Sequence, residues 1–441
     1  MRKRNFSTLS TCGALPDLPT SVQSDIIIVM REMFLFLKNL KGNSKAAVFA
    51  QPLWGIPFNL FTPFATLYMF HMGVTDIQLG IMLAVGRVCQ MITAFFGGVI
   101  TDKFGRRLTT LIADIFSWSV PAIIWAFAQN FWWFLAAAVV NSAIQITAVA
   151  WECLWIDEVG EDGAMVTRIY NWLHICGVLA VLFVPIAGLL VGRFELILVV
   201  RGLYVFAFCS MTAKAILLYF GSKETARGRE RMEETKNVPF FKLFAGYSGV
   251  FGQIFRSGRM LRALGINALQ NITLMVTSTF FALYVTQNLG INESMIAFFP
   301  ILRAAVMLVF LFFVQTRLSR FKLHYILISG ILLYIAANAV LLASPYGNLF
   351  WIAGYTFLEA CAVALFMPRM GGIVANAIEP KERARIRSLF NMVILAVVSP
   401  FAYLAGVLSD FDRRLPFVLN ITLFAVMLIF AFVDARKTKI S

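Results

Sequence analysis

GGVITDKFGRR, residues 97–107, breaks into a chain that is otherwise almost continuously apolar. The runs on either side, at roughly 77–101 and 109–128, are each long enough to cross a bilayer as a helix. Between them the sequence places an aspartate, a lysine, two adjacent arginines and a glycine just before the arginines. The rest of the chain explains why such a break is informative. Of 441 residues, 60% are hydrophobic and 14% charged, too little charge to keep a soluble surface of this size wet. Apolar runs of spanning length recur from about residue 47 to residue 433. In lipid every backbone polar group needs an internal partner, so repeated runs of this length specify helices. The expected fold class is therefore an all-α polytopic membrane protein.

Working outward from that break, spans are expected at roughly 47–70, 77–101, 109–128, 131–158, 167–191 and 195–220. A polar segment, GSKETARGRERMEETKNVPF, follows and stays basic to Arg262. A second set is expected at roughly 263–288, 292–316, 324–343, 347–374, 388–410 and 415–433. This gives a cytoplasmic N-terminal region (1–46), a six-helix bundle (47–220), a central loop (221–262), a second six-helix bundle (263–433) and a tail (434–441). Residues 25–41 are apolar but carry Arg31, Glu32, Lys38 and Lys41, a pattern that suits a helix lying in the membrane interface. The first 24 residues lack the apolar core and small-residue cleavage site of a signal peptide.

Charge supplies the orientation. Of 38 lysines and arginines, 30 fall in the termini and in the loops after spans 2, 4, 6, 8 and 10, with Arg168 at the very start of span 5 counted with its loop. Three (Arg193, Arg413, Arg414) fall in the opposite loops, and five (Arg87, Arg201, Lys214, Arg303, Arg369) lie within spans. The positive-inside rule then expects both termini in the cytoplasm, in a multi-pass protein of the cell membrane. The net charge of +15 is spent on this topology, so no nucleic-acid partner is expected. Six isolated cysteines and three scattered histidines form no metal or disulfide pattern, and neither metal nor cofactor is expected. A six-plus-six layout implies an internal repeat. With an offset of 216, Arg87 falls on Arg303, Met91 on Met307 and Gln51 on Asn267, while Pro185 and Pro400 match at an offset of 215.

Gly98, Asp102, Lys103, Gly105, Arg106 and Arg107 spell Gly-x-x-x-Asp-Lys-x-Gly-Arg-Arg in the loop between spans 2 and 3. This resembles the signature of the major facilitator superfamily, at every fixed position and in the expected loop. The resemblance implies twelve transmembrane helices in two pseudo-symmetric six-helix bundles. It also implies that the stretch is a conformational latch and not a substrate site. In the resembled family the aspartate meets the start of span 11, and the arginine matching Arg106 pairs with an acid closing span 4. Asp157 in WIDEVGEDG is the matching acid, with Glu158 beside it. Gly98 suits close helix approach and Gly105 a tight turn. The loop after span 8, TRLSRFK, keeps the charge but neither acid nor glycine.

Ionisable groups within the spans mark candidate function, because each is costly in hydrocarbon. Arg87 and Arg303 lie about ten residues into spans 2 and 8, close to the midplane, and Glu359 lies at similar depth in span 10. Glu152 in span 4 and Arg369 in span 10 lie deeper toward the expected cytoplasmic side. Polar stripes add Asn141 and Gln145 in span 4, Asn267, Gln270, Asn271 and Thr277 in span 7, and Gln51, Trp54 and Asn59 in span 1. Spans 1, 4, 7 and 10 line the cavity in the resembled family. The candidate substrate-binding set is thus Arg87, Arg303, Glu359, Gln145, Asn141, Asn267, Asn271 and Trp54. Glu359, then Glu152, are the candidate proton-coupling groups. For single polar residues, interhelical hydrogen bonding is the competing reading, and for the arginines it is pairing with Glu359 and other acids.

Two midplane arginines suit a carboxylate or phosphate on the substrate. Nitrate porters of the resembled superfamily use arginines in spans 2 and 8, but their glycine-rich signatures are absent from GVLAVLFVPIAGLL and VVSPFAYLAGVL. The antiporter signature of span 5 survives only as Pro185 and Gly188. The leading expectation is a monomeric secondary transporter that moves a small organic solute by rocker-switch alternating access, coupled to a proton. The alternatives are a proton-coupled multidrug efflux antiporter and a non-transporting membrane sensor. No enzyme is expected, since no nucleophile–base or metal set recurs.

Overall fold

Residues 36–38, 40–160, 162–239, 257–310, 314, 323–377 and 383–438 are described in a computed structural model, and among them every regular element is helical. The interfacial helix expected at 25–41 falls mostly outside the described residues, as does the 240–256 part of the central loop.

The first crossing is α1 (Gly42–Phe61), a 3-10 turn (Thr62–Phe64) and α2 (Ala65–His71). Pro52 and Pro57 lie inside α1 and Pro63 sits in the turn, so the ladder loses a donor at three levels and can bend there. The second crossing is α3 (Asp76–Phe104). It starts with a capping box: Gln78 N donates to Thr75 Oγ1 at 3.2 Å and Thr75 N donates to Gln78 Oε1 at 3.1 Å. α4 (Arg106–Asp114) and α5 (Val120–Ala126) flank a π turn at Ile115–Ser119. Three crossings follow, α6 (Phe131–Asn141) with α7 (Ile144–Val159), α8 (Gly163–Val181) with α9 (Val184–Arg193), and α10 (Leu196–Gly221). A short charged helix, α11 (Ala226–Thr235), leads to the second set. That set comprises α12 (Gly258–Leu283), a 3-10 turn (Glu293–Ala297) into α13 (Phe298–Val309), α14 (Leu323–Leu342), α15 (Leu349–Ala377), α16 (Arg383–Phe411) and α17 (Leu415–Thr438).

Among the described residues, ten helical segments are long and apolar enough to cross a membrane, which makes the protein multi-pass. The two expected spans outside that count are the first and the eighth. The helix that forms the first, α1, begins earlier, carries Asn43, Ser44, Lys45, Gln51 and Asn59, and gives way to a 3-10 turn at Thr62. The eighth is described only as far as Phe310, with Val314 beyond it.

Residues 97–107 lie at one end of the bundle, here the motif end, and the connections at 72–75 and 412–414 at the other, the far end. A continuous apolar core joins the two helix sets mainly toward the far end, through Phe64, Leu67, Val184, Ala187, Phe280, Leu283, Val398 and Ala402. There α3 and α16 touch backbone to backbone. A Cβ added at Gly80 would lie 2.8 Å from Gly406 Cα and 3.0 Å from Ala402 O. Only glycines permit this approach. Polar contacts fasten the same seam. Asp76 accepts from Ser409 Oγ at 2.5 Å and from Arg413 Nε and Nη2 at 3.1 and 3.2 Å. Ser399 Oγ donates to Ala84 O at 3.1 Å, and His71 Nε2 lies 2.6 Å from Glu293 Oε1.

Candidate functional site

At the motif end, Gly105 (φ +83°) closes α3 and opens α4. The freed amides of Arg106 and Arg107 donate to the two carboxylate oxygens of Glu224, at 3.1 and 2.9 Å. An acid here satisfies two helix N-terminal donors and the dipole together. A Cβ on Gly105 would lie 2.6 Å from Glu224 Oε2, so glycine is needed for space as well as for φ. The Arg106 side chain is buried, with Nε 3.0 Å from Asp157 Oδ2 and Nη2 3.1 Å from Asp102 Oδ1. Lys103 Nζ donates to Val238 O at 3.3 Å. Arg107 Nε donates to Tyr219 O at 2.9 Å, its guanidinium 4.0 Å from that ring's centroid. Glu158 instead accepts from Ser44 N at the start of α1, at 3.0 Å. Gly98 is half-buried, and its neighbour Gly97 makes the close approach to α7, 3.4 Å from Gln145 O to an added Cβ. The side chains at the start of α16, which Asp102 is expected to meet, lie outside those described.

Within the membrane the two arginines differ. Arg303 Nη2 is 2.7 Å from Glu359 Oε1, joining α13 to α15, and Glu359 is buried. Arg87 is half-buried on α3, and among the described residues its one hydrogen bond runs from Nη1 to Gln90 Oε1 at 2.9 Å, within its own helix. Around the Arg303–Glu359 pair the second set is polar and incompletely satisfied. Gln270 Nε2 donates to Tyr334 Oη at 3.3 Å and Asn420 Nδ2 to Thr277 Oγ1 at 3.1 Å. Gln270 Oε1, Asn338 Oδ1 and Asn420 Oδ1 are buried without a partner among the described residues, a state that calls for ordered water. Tyr170 Oη donates to Glu152 Oε1 between α8 and α7. Arg369 lies on α15, outside the residues whose side chains are described.

The remaining candidates separate by partner. Asn141 Nδ2 donates to Ser117 O at 2.6 Å, a carbonyl within the π turn of the third crossing. Gln145 Oε1 accepts from Asn391 Nδ2 at 2.9 Å, linking α7 to α16. Asn271 is exposed and donates to Asn267 Oδ1 at 2.7 Å. Trp54 stacks on Phe58 with centroids 4.8 Å apart and meets the edge of Trp118 at 5.2 Å, while its indole Nε1 is buried without a partner among the described residues.

Three acids matter that the sequence reading passed over. Asp114 on α4 pairs with Lys214 on α10, both buried, Asp76 holds Arg413, and Glu224 caps α4. Lys214 and Arg413 were themselves signals, one a cation inside a span and the other a cation in an otherwise base-poor loop.

Fold and helix composition together define a multi-pass helical membrane protein. The MFS_1 like family model matches residues 58–419, and the chain belongs to that family, within the major facilitator superfamily. It is 27% identical over 132 residues to the uncharacterized MFS-type transporter YqjV of Bacillus subtilis, covering 30% of this chain and 32% of that protein. It is 32% identical over 105 residues to the multidrug resistance protein MdtG of Serratia proteamaculans, covering 23% of this chain and 25% of that protein. The matches thus span about a third or less of these relatives' length. The nucleoside transporter NupG shares the fold, with TM-score 0.68 at 13% identity over 89% of this chain and 98% of its own. So does the human organic anion transporter MFSD10, with TM-score 0.61 at 15% identity over 88% of this chain and 98% of its own.

Proposed function

We propose that this protein is a secondary transporter that carries a small organic anion together with a proton, by alternating access between the helix sets at 47–220 and 263–433. The observation that carries this reading is the unequal state of the two intramembrane arginines. Arg87 presents a guanidinium with no acid partner among the described residues, ready for a carboxylate or phosphate. Arg303 is already engaged by Glu359. An anion that recruits Arg303 must displace Glu359, and a buried carboxylate without a counter-charge neutralises by taking a proton. Anion and proton then bind cooperatively, as symport requires. Glu152 is the second coupling candidate. In this reading the motif end faces the cytoplasm, the far end is the closed gate, and residues 97–107 with Asp157 latch the motif end in the opposite state. The protein acts as a monomer in the cell membrane.

Proton uptake on binding fixes the sign of the pH dependence. Affinity for an anion rises as pH falls, by up to about tenfold per unit for one proton. Purified protein is titrated with a panel of organic anions and lipophilic cations at several pH values. Glu359→Gln is expected to abolish the pH dependence while binding persists, and Arg87→Lys to weaken binding. A second reading, efflux of lipophilic cations, is favoured by the Trp54–Phe58–Trp118 cluster. There the carboxylate must be charged for the cation, so affinity rises with pH. Cations that tighten with rising pH, with anions silent, would replace the first reading by the second.

A further inference from the structure

The geometry points to a binding groove for an anionic phospholipid at the far-end seam between α9 and the 3-10 turn that opens α13. The groove encloses about 470 Å³. Gly188 and Gly192 form one side of its floor. A Cβ on Gly188 would fall 2.9 Å from Ser294 O and 2.6 Å from the Ala297 methyl, so the two segments are already in backbone contact there. Above this floor rise Leu189, Met295 and Phe298, which are 73%, 43% and 45% exposed. In a chain that crosses a membrane, an outward-facing apolar groove between two spanning segments meets acyl chains.

The end of the groove differs from its walls. α9 finishes at Arg193, which lines the same groove. Of the three basic residues expected in far-end loops, Arg413 is held by Asp76, whereas Arg193 has no acid partner among the described residues. It stands where a crossing ends, at the depth of lipid headgroups. A guanidinium there can fork a phosphate while the acyl chain fills the apolar floor. One wall belongs to the first helix set and the other to the second. A lipid seated here therefore bridges the seam that must part when the far end opens.

The test uses the full chain in phosphatidylcholine nanodiscs doped with a photoactivatable phosphatidylglycerol or its phosphatidylcholine counterpart. Crosslinks are mapped by mass spectrometry. Phosphatidylglycerol should label residues 185–193 and 294–301 several-fold more than phosphatidylcholine. Arg193→Gln should remove that preference and Arg193→Lys should keep most of it. Gly192→Leu should suppress groove labelling by both lipids. A Cβ at position 192 meets Ser294 Cβ at an ordinary 3.5 Å, so the substitution starts from the groove floor without a Cβ clash. Melting temperatures in the same discs report that each variant is folded, and Leu189→Trp provides a second occlusion from the exposed wall. Equal labelling by the two lipids in the unaltered protein would overturn the proposal. So would groove labelling no stronger than that around lipid-facing Phe220 and Ile429, or loss of the signal to millimolar inorganic phosphate.

Discussion

Gly80→Ala should unseat the far-end closure, and its size follows from the contact at that residue. The added methyl meets Gly406 Cα at 2.8 Å and Ala402 O at 3.0 Å. Both atoms are backbone, so no side chain can swing aside and α3 must move away from α16. Overpacking of this kind costs about 1–3 kcal/mol. If the two helices part when the far end opens, the cost falls on the closed state alone. The ratio of closed to open states then drops about 5- to 150-fold. A population at 99:1 closed would fall to between about 20:1 and below 1:1. Spin labels at Gln129 and Phe350, on far-end surfaces of the two helix sets, report the change as a second, longer distance in electron–electron resonance. Gly86→Ala is the matched control: it lies on the same helix, but its added methyl meets only Ala138 Cβ, at 3.9 Å. An unchanged distance distribution in a well-folded Gly80→Ala protein, or an equal shift in Gly86→Ala, would refute the reasoning.

Three further outcomes are expected. Lys214→Met should cost about 3–5 kcal/mol of stability, because it leaves Asp114 charged and buried without its partner. Asp114→Asn/Lys214→Met should recover most of this in a melting assay, and failure to recover would show that the pair is not the cause. Glu224→Gln should cost about 0.3–1 kcal/mol through the weakened cap on α4. With Asp102→Asn and Arg106→Ala it should also slow transport while substrate affinity in detergent stays within a few-fold; lost affinity would place the loop in the binding site. Single cysteines at Asn130 and Gly347 should react with impermeant maleimide from outside cells, and those at Lys103 and Glu234 only after the membrane is opened. Outside labelling at Lys103 would reverse the proposed orientation.

How far the sequence could be read depended on the scale of the feature. Spans are long and repeat the same physical demand, so the expected 195–220 appears as Leu196–Gly221. The motif loop was legible because its chemistry is local. Gly105 adopts the positive φ that a reversal between helices needs, and Arg106 reaches Asp157 through a loop whose partners a family pattern supplies. Pairings between helices distant in sequence were legible only in part: Arg303 with Glu359 stood as the competing reading of the arginines, while the partner of Lys214 had no trace. Counting residues gives the depth of a charge but not the face it presents, and Asp114 with Lys214 shows this. Asn141 shows a second limit. It was placed on a cavity stripe by helical spacing, yet it serves the Ser117 carbonyl in a π turn, which leaves no periodic trace in the sequence.

Asn141 also bears on why the two arginines differ. It lies ten residues into the crossing that begins at Phe131, and Glu359 lies ten residues into the one that begins at Leu349. The two helix sets therefore carry an amide and a carboxylate at the same depth, while Arg87 and Arg303 coincide under the repeat. In the second set the carboxylate meets the arginine at 2.7 Å. In the first, the amide is committed to Ser117 and Arg87 is left with Gln90. A symmetric pair of masked arginines would hold two buried ion pairs and attract no anion. A symmetric pair of unmasked ones would leave two cations in hydrocarbon, each costing about 2.5–3.5 kcal/mol on insertion scales. Under the proposed mechanism, this arrangement keeps one standing attraction and makes the other conditional on a proton. Asn141→Asp would test the point directly. If the new carboxylate captures Arg87, anion binding should weaken at neutral pH and recover as the pH falls. If the new carboxylate pairs with Arg87, as a structure of the variant would show, and anion affinity is untouched, Arg87 does not serve the site.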